Sequence, residues 1–324
     1  MRFLISAATF FSLLLLSAPL RGENWPMWRG PRLDGSAAGQ GYPVAVNADT
    51  VTWKTPLRGL GHASPIVWED KVFTVSCDAD KEERLLICVD RATGKVLWES
   101  VVLKSPLEGK HRLNSHASST PATDGTRVYT AFLDGDEVVV SAFDFSGKKV
   151  WEQRPGTFAS KHGFSSSPIL YEGRVIVNCD HDGDGYMVAL GAEDGSEKWR
   201  IDRPNKTRSY CVPLIRELAG RPQMVLSGTK CVASYDPRDG KEIWRIDGPT
   251  EQFVASLVHH EKSGLLFMTG GFPEHHILAI RPDGTGNVTD THIVWRTNQG
   301  VAYVPSPVVA GDFFFSVSDS GVLH

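Results

Sequence analysis

Apolar residues fall in short runs along the whole chain, each bounded by polar turn residues, and no stretch keeps a convincing helical spacing. Val72-Phe73-Thr74-Val75, Val128-Tyr129-Thr130-Ala131, Val175-Ile176-Val177 and Phe313 to Val317 are β-branched and aromatic, so they read as strands. A polar turn stands before each of them: Glu69-Asp70, Asp124-Gly125, Glu172-Gly173 and Gly311-Asp312. Upstream of the turn lies a Ser- or Ala-rich approach to a proline, at Pro65, Pro121, Pro168, Pro213 and Pro307, with Leu257 replacing it in one copy. Proline donates no ladder hydrogen bond and is tolerated where a strand opens, so each marks the start of a first strand.

Downstream, the stretch Ile87 to Trp98 carries Asp90, Thr93, Gly94 and Trp98 in an order that recurs. The copies are Ser141 to Trp151, Ala189 to Trp199, Ser234 to Trp244, and a looser one from Leu278 to Trp295 that carries an insertion. Val51-Thr52-Trp53 reads as one strand, the tail of a copy without a front half. The tryptophans lie 45 to 53 residues apart. That pitch fits a four-stranded propeller blade. Gly in each copy permits a tight turn, Asp or Thr before it bonds the turn backbone, and Trp fills the space between neighbours. The expected fold is therefore all-β, a β-propeller of four-stranded antiparallel blades with about six blades represented.

These features, the Ser-Pro opening and the Ala-x-Asp-x-x-Thr/Asp-Gly-x-x-x-Trp ending at this pitch, resemble the PQQ-like (pyrroloquinoline-quinone-like) β-propeller repeat family. That family includes quinoprotein dehydrogenases and the propeller subunit of the bacterial outer-membrane assembly machine. The lead-in Asn24-Trp25-Pro26-Met27-Trp28-Arg29-Gly30-Pro31 and Asn114 to Pro121 are similar to its secreted, planctomycete-type branch. The resemblance implies a longer ring. A sixth unit opens at Pro307 without a closing motif, so the expectation is a chain truncated from seven or eight blades, with a six-bladed ring closed by Val51 to Trp53 as the rival.

Met1-Arg2, the apolar run Phe3 to Leu16 and Ser17-Ala18-Pro19 read as a signal peptide over residues 1–22, followed by an irregular arm over 23–50 and the repeats over 51–324. A periplasmic or secreted monomer is expected, with no membrane span in the mature chain. The net charge of −4 comes without a basic cluster and argues against nucleic acid. Five cysteines, Cys77, Cys88, Cys179, Cys211 and Cys231, show no Cys-x-x-Cys spacing and read as small buried hydrophobes.

Two constellations are candidate sites. His62, His116, Phe164, Tyr210 and Tyr303 precede the strand openings and could ring the channel mouth as ligand-binding or packing groups. Asp180, Asp182 and Asp184 have calcium-loop spacing but lack the residues that complete such a loop, so a solvated turn is the preferred reading. The quinone clamp of the dehydrogenases requires adjacent cysteines, and this chain has none. The expected function is a non-catalytic scaffold binding a protein or polymer partner in the cell envelope, without a cofactor. The alternative is a dehydrogenase of alcohols or sugars that binds pyrroloquinoline quinone and calcium.

Overall fold

In the computed structural model, which describes residues 22–203 and 205–324, every regular element is a strand. The signal-peptide reading of residues 1–22 lies almost wholly outside the described residues. The first sheet is β1 (Ile66–Trp68), β2 (Lys71–Asp78), β3 (Glu83–Asp90) and β4 (Val96–Lys104), paired antiparallel in sequence order. The second repeats it with β5 (Ala122–Thr123), β6 (Arg127–Asp134), β7 (Glu137–Asp144) and β8 (Lys149–Thr157). The third holds β9 (Ile169–Tyr171), β10 (Arg174–Cys179), β11 (Gly185–Gly191) and β12 (Glu197–Arg203).

The fourth consists of β13 (Leu214–Leu218), β14 (Arg221–Gly228), β15 (Cys231–Tyr235) and β16 (Glu242–Asp247), and the fifth of β17 (Val258–His260), β18 (Leu265–Gly270), β19 (His276–Ile280) and β21 (Ile293–Thr297). The insertion in the fifth copy makes β20 (Gly286–Asn287), which adds to the outer edge of the fourth sheet in parallel with β16. A sixth unit contributes β22 (Val308–Ala310) and β23 (Phe313–Phe315). In each unit that has the proline, the first strand starts on the residue after it.

The recurring motif joins one sheet to the next. Trp98 Nε1 donates to the carbonyl oxygen of Phe145 at 3.0 Å, Trp151 to that of Ala192 at 3.1 Å, and Trp199 to that of Pro237 at 3.1 Å, each in the last hairpin of the following blade. The glycine of that hairpin lies under the indole: a Cβ on Gly147 would come within 2.9 Å of the Trp98 ring, and one on Gly195 within 2.9 Å of Trp151. Room for the indole within its own sheet comes from a small residue opposite it. Cys88, Ala142, Ala189, Ser234 and Ala279 pair with the five tryptophans, and in every case the register slips by a bulge one residue further on. Directly opposed side chains approach to about 5 Å, so a large partner would displace the ring. Cys88 is buried for this reason.

Val51 to Trp53 forms no strand, contrary to the sequence expectation. The segment pairs with no sheet, but its tryptophan keeps the motif's contact. Trp53 Nε1 donates to Arg91 O at 2.9 Å and the ring sits against Gly94. Trp244 also departs from the pattern and donates to the buried Gln223 Oε1 at 2.8 Å.

On the inner side a second set of ties links the blades. The residue before the strand-opening proline accepts a backbone N–H from the preceding blade: Ser64 N to Thr120 Oγ1 at 3.0 Å, Thr120 N to Ser167 Oγ at 2.9 Å, and Ser256 N to Ser306 Oγ at 3.0 Å. One position earlier, Ser119 Oγ donates to Ser166 O at 2.7 Å and Cys211 Sγ to Ala255 O at 3.1 Å. The Ser-Pro opening is therefore an inter-blade tie as well as a strand start.

Residues 22–36 run irregularly along these inner strands. Trp25 exchanges backbone hydrogen bonds with Val67 at 2.8 and 2.9 Å, and Thr123 N donates to Pro26 O at 2.8 Å. Leu33 is buried with Leu214 and Leu257, and Asp34 pairs with Arg216 at 3.1 Å.

Gly147 and Gly173 both have positive φ, +87° and +72°, but only Gly147 has a neighbour where a Cβ would go. Alanine at Gly173 should cost about 1 kcal/mol from backbone strain. At Gly147 it should cost about 2–4 kcal/mol, because the Trp98 ring must also move. Equal losses in urea unfolding would show that the indole does not depend on the close approach.

Candidate functional site

The first-strand approaches of all six units converge on a cavity of about 450 Å³ on the propeller axis. Its wall takes His62 from the first unit, Ser118 from the second, Ser165 and Ser167 from the third, Tyr210 from the fourth, Ser256 from the fifth and Ser306 from the sixth. The N-terminal arm adds Trp28 and Arg29. A second cavity, about 700 Å³, opens beside it between the first two blades, with His62, Asp78, Asp80, Lys110, Arg112 and His116 among its lining.

Of the five residues expected at the channel mouth, His62 and Tyr210 line the axial cavity, and His62 and His116 line the adjoining one. His116 Nε2 lies 2.9 Å from Glu108 O, which fixes its ring. Phe164 is buried edge-on against Phe158 at a centroid distance of 5.1 Å, so it is a packing residue. Tyr303 stands apart, stacked on His275 at 6.1 Å, with its hydroxyl against Gln252. The expected ring of histidines and aromatics is thus only partly assembled. The arm residues and serines that complete the site carried a weaker signal: a Trp-Arg-Gly cluster ahead of the repeats, and hydroxyls repeated before the prolines.

Tyr210 is fixed by polar contacts. Its hydroxyl lies 2.7 Å from Ser160 Oγ and 2.9 Å from His162 Nδ1, and burial pushes its pKa up to about 12. Burial also lowers the pKa of His162, and Arg208, Lys161 and His111 act in the same direction. With Nδ1 unprotonated, Tyr210 donates to it and accepts from Ser160.

Asp180, Asp182 and Asp184 do not converge. Asp180 is fully buried, paired with Arg203 Nε at 2.8 Å and accepting from Ser209 Oγ at 3.0 Å. Asp182 pairs with Arg208 at 2.6 Å and Asp184 with Lys206 at 2.7 Å. Each carboxylate has a base of its own, and no cluster of three or more metal-ligating side chains occurs among the described residues.

The residues present do not fit a quinone clamp either. All five cysteines are buried and unpaired, and burial raises their thiols, those of Cys88, Cys179 and Cys211 to about 12. None lines the axial cavity.

Sheets that repeat about an axis, tied by tryptophan outside and serine inside, define a PQQ-like β-propeller. The chain belongs to the family described as outer membrane protein assembly factor BamB, whose model matches residues 81–324. The outer membrane protein assembly factor BamB of Xanthomonas campestris pv. campestris is 32% identical over 116 residues, 34% of this chain. The matched stretch spans about a quarter (26%) of that relative's length. The crystal structure of BamB from Moraxella catarrhalis superposes with a TM-score of 0.56 at 15% identity, over 83% of this chain and 73% of that one. Quinohemoprotein alcohol dehydrogenase from Comamonas testosteroni gives 0.51 at 15% identity, over 74% and 43%. At such identities the two structures are likenesses of fold.

Two outcomes follow from the site. Asp180→Asn should destabilise the chain by about 3–5 kcal/mol, because it leaves the Arg203 charge buried and unpaired. Asp184→Asn, in an exposed pair, should leave the midpoint of a denaturant titration nearly unchanged. For His162 the folded pKa lies below the unfolded one, so its contribution is complete above about pH 6.5 and declines as the pH falls from there. His162→Gln should flatten that part of the stability–pH curve, and an unchanged slope would show that His162 does not titrate against folding.

Proposed function

We propose that this chain is an exported, non-catalytic β-propeller scaffold that binds a protein or polymer partner in the cell envelope through the face bearing the two cavities. One observation carries the reading. Several polar groups of the axial cavity serve the scaffold: Ser167 and Ser306 each accept a backbone N–H from the preceding blade, and Tyr210 is fixed by His162. Such groups give a rigid and hydrogen-bonding surface. A nucleophile activated by an adjacent base would instead need its hydroxyl or thiol directed at a substrate.

Family membership supports the same direction, since the family's description is that of an assembly factor for outer membrane proteins. Export rests on the charged and apolar start of the chain, Met1 to Pro19. Among the described residues no helix is long and apolar enough to cross a membrane. The exposed Leu60 and Leu113, beside Lys110 and Arg112, give this face the mixture of apolar and charged groups common at protein interfaces.

Photo-crosslinkers placed at Leu60 and Leu113 should join the protein to a discrete envelope component in intact cells, and one at Glu172 on the opposite face should not. Reconstitution with pyrroloquinoline quinone and calcium should yield no dye reduction by alcohols. Stoichiometric quinone binding with turnover would overturn the scaffold reading in favour of a dehydrogenase.

A further inference from the structure

At the axial cavity the arm supplies a cation that forms no ion pair among the described residues. Arg29 Nη2 donates to Asp34 O at 2.6 Å and to Pro307 O at 2.5 Å, both uncharged acceptors. Nη1 is buried and has no hydrogen-bond partner. Asp34 is the acid nearest in sequence, but its carboxylate is already engaged. Oδ2 receives Arg216 at 3.1 Å, and Oδ1 receives the N–H and hydroxyl of Ser36 at 2.8 and 2.7 Å. Arg29 therefore forms no ion pair among the described residues, and burial brings its pKa down to about 10 although Asp34 opposes the shift. A buried donor left unmatched costs about 1–3 kcal/mol, more when charged, and the guanidinium that carries it belongs to a residue lining the axial cavity.

The wall has the same bias toward donation. Ser167 Oγ and Ser306 Oγ each accept a backbone N–H, and neither hydroxyl hydrogen is spent on a partner. Ser165 has no side-chain hydrogen bond among the described residues, and Trp28, whose Nε1 is buried without a partner, adds an aromatic ring to the lining. A cavity with one positive charge, several hydroxyl donors and an aromatic face matches a ligand with one negative charge and two planar acceptors. A phosphate dianion would bring more negative charge than this single cation offsets.

We propose that the axial cavity is a carboxylate-binding subsite, charged by Arg29 and walled by the hydroxyls of Ser165, Ser167 and Ser306. The carboxylate is the C-terminus of an extended peptide or a small free acid. This names the chemistry a partner would bring to the face described above, and it rests on that face being a binding surface.

The test is isothermal titration of the full chain at low salt with N-acetyl-trialanine as the free acid, the same peptide as its C-terminal amide, and propionate. The acid should bind about tenfold tighter than the amide or more, as charge-assisted hydrogen bonds to an arginine require. Arg29→Gln should erase the difference between acid and amide. Ser165→Phe, which fills the cavity from the wall and leaves the arm untouched, should block both peptides, and it keeps the test open if Arg29→Gln fails to fold. Heat from propionate without heat from the peptide acid would identify a small acid as the ligand; the reverse would identify a chain terminus. Equal acid and amide titrations together with no propionate heat at millimolar concentration would overturn the proposal. That result would leave a partner captured at Leu60 or Leu113 unaffected, and failure to capture one would leave a carboxylate titration unaffected.

Discussion

Everything in this fold depends on the seating of one blade's tryptophan on the next blade's glycine hairpin. The indole of Trp98, Trp151 or Trp199 leaves its own sheet over a small residue, crosses the gap, and donates to a carbonyl beside the glycine. Three demands are met by one short motif: a small residue and bulge beneath the ring, the ring itself, and a glycine with positive φ to receive it. Removal of any one affects the interface and not just the strand. The buried areas are large, since each ring covers about 200 Å². Stability then approximates a sum of blade and interface contributions, as in other repeat arrays.

The inner side solves a different problem. First strands are only two to five residues long, β5 having two and β13 five, so they hold little ladder of their own. At three of the five prolines the preceding hydroxyl, of Thr120, Ser167 or Ser306, compensates by taking a backbone N–H from the preceding blade, and the arm adds further bonds to Val67, Thr123 and Pro307. The axial cavity results from this arrangement. Its polarity comes from scaffold hydroxyls, and its charge comes from outside the repeats.

The sequence discloses these layers unequally. Strand positions and the blade motif are plain because they recur, and recurrence at fixed pitch survives local variation in residue type. Val51 to Trp53 misleads because it preserves the tryptophan contact without pairing into a sheet; the motif records the interface and not the strand. Phe164 misleads differently, since position in the repeat predicts nearness to the axis but not which way a side chain turns. Arg29 is invisible to repeat reasoning altogether. It reaches the cavity because residues 22–36 thread back across inner strands separated from them by up to hundreds of residues, a tertiary fact of which the Trp-Arg-Gly cluster is only a weak local signal.

The Trp53 contact has a consequence for how copies of the chain meet. The link between blades is head-to-tail, with an indole on one side and a glycine socket on the other. Contacts of that kind propagate into fibres whenever a free socket on one molecule can accept the projecting group of another. The first blade's socket at Gly94 is closed by an indole from its own chain. A stretch that fails as a strand thus acts as a stopper, denying a second copy the place where its fourth-strand tryptophan would begin a polymer.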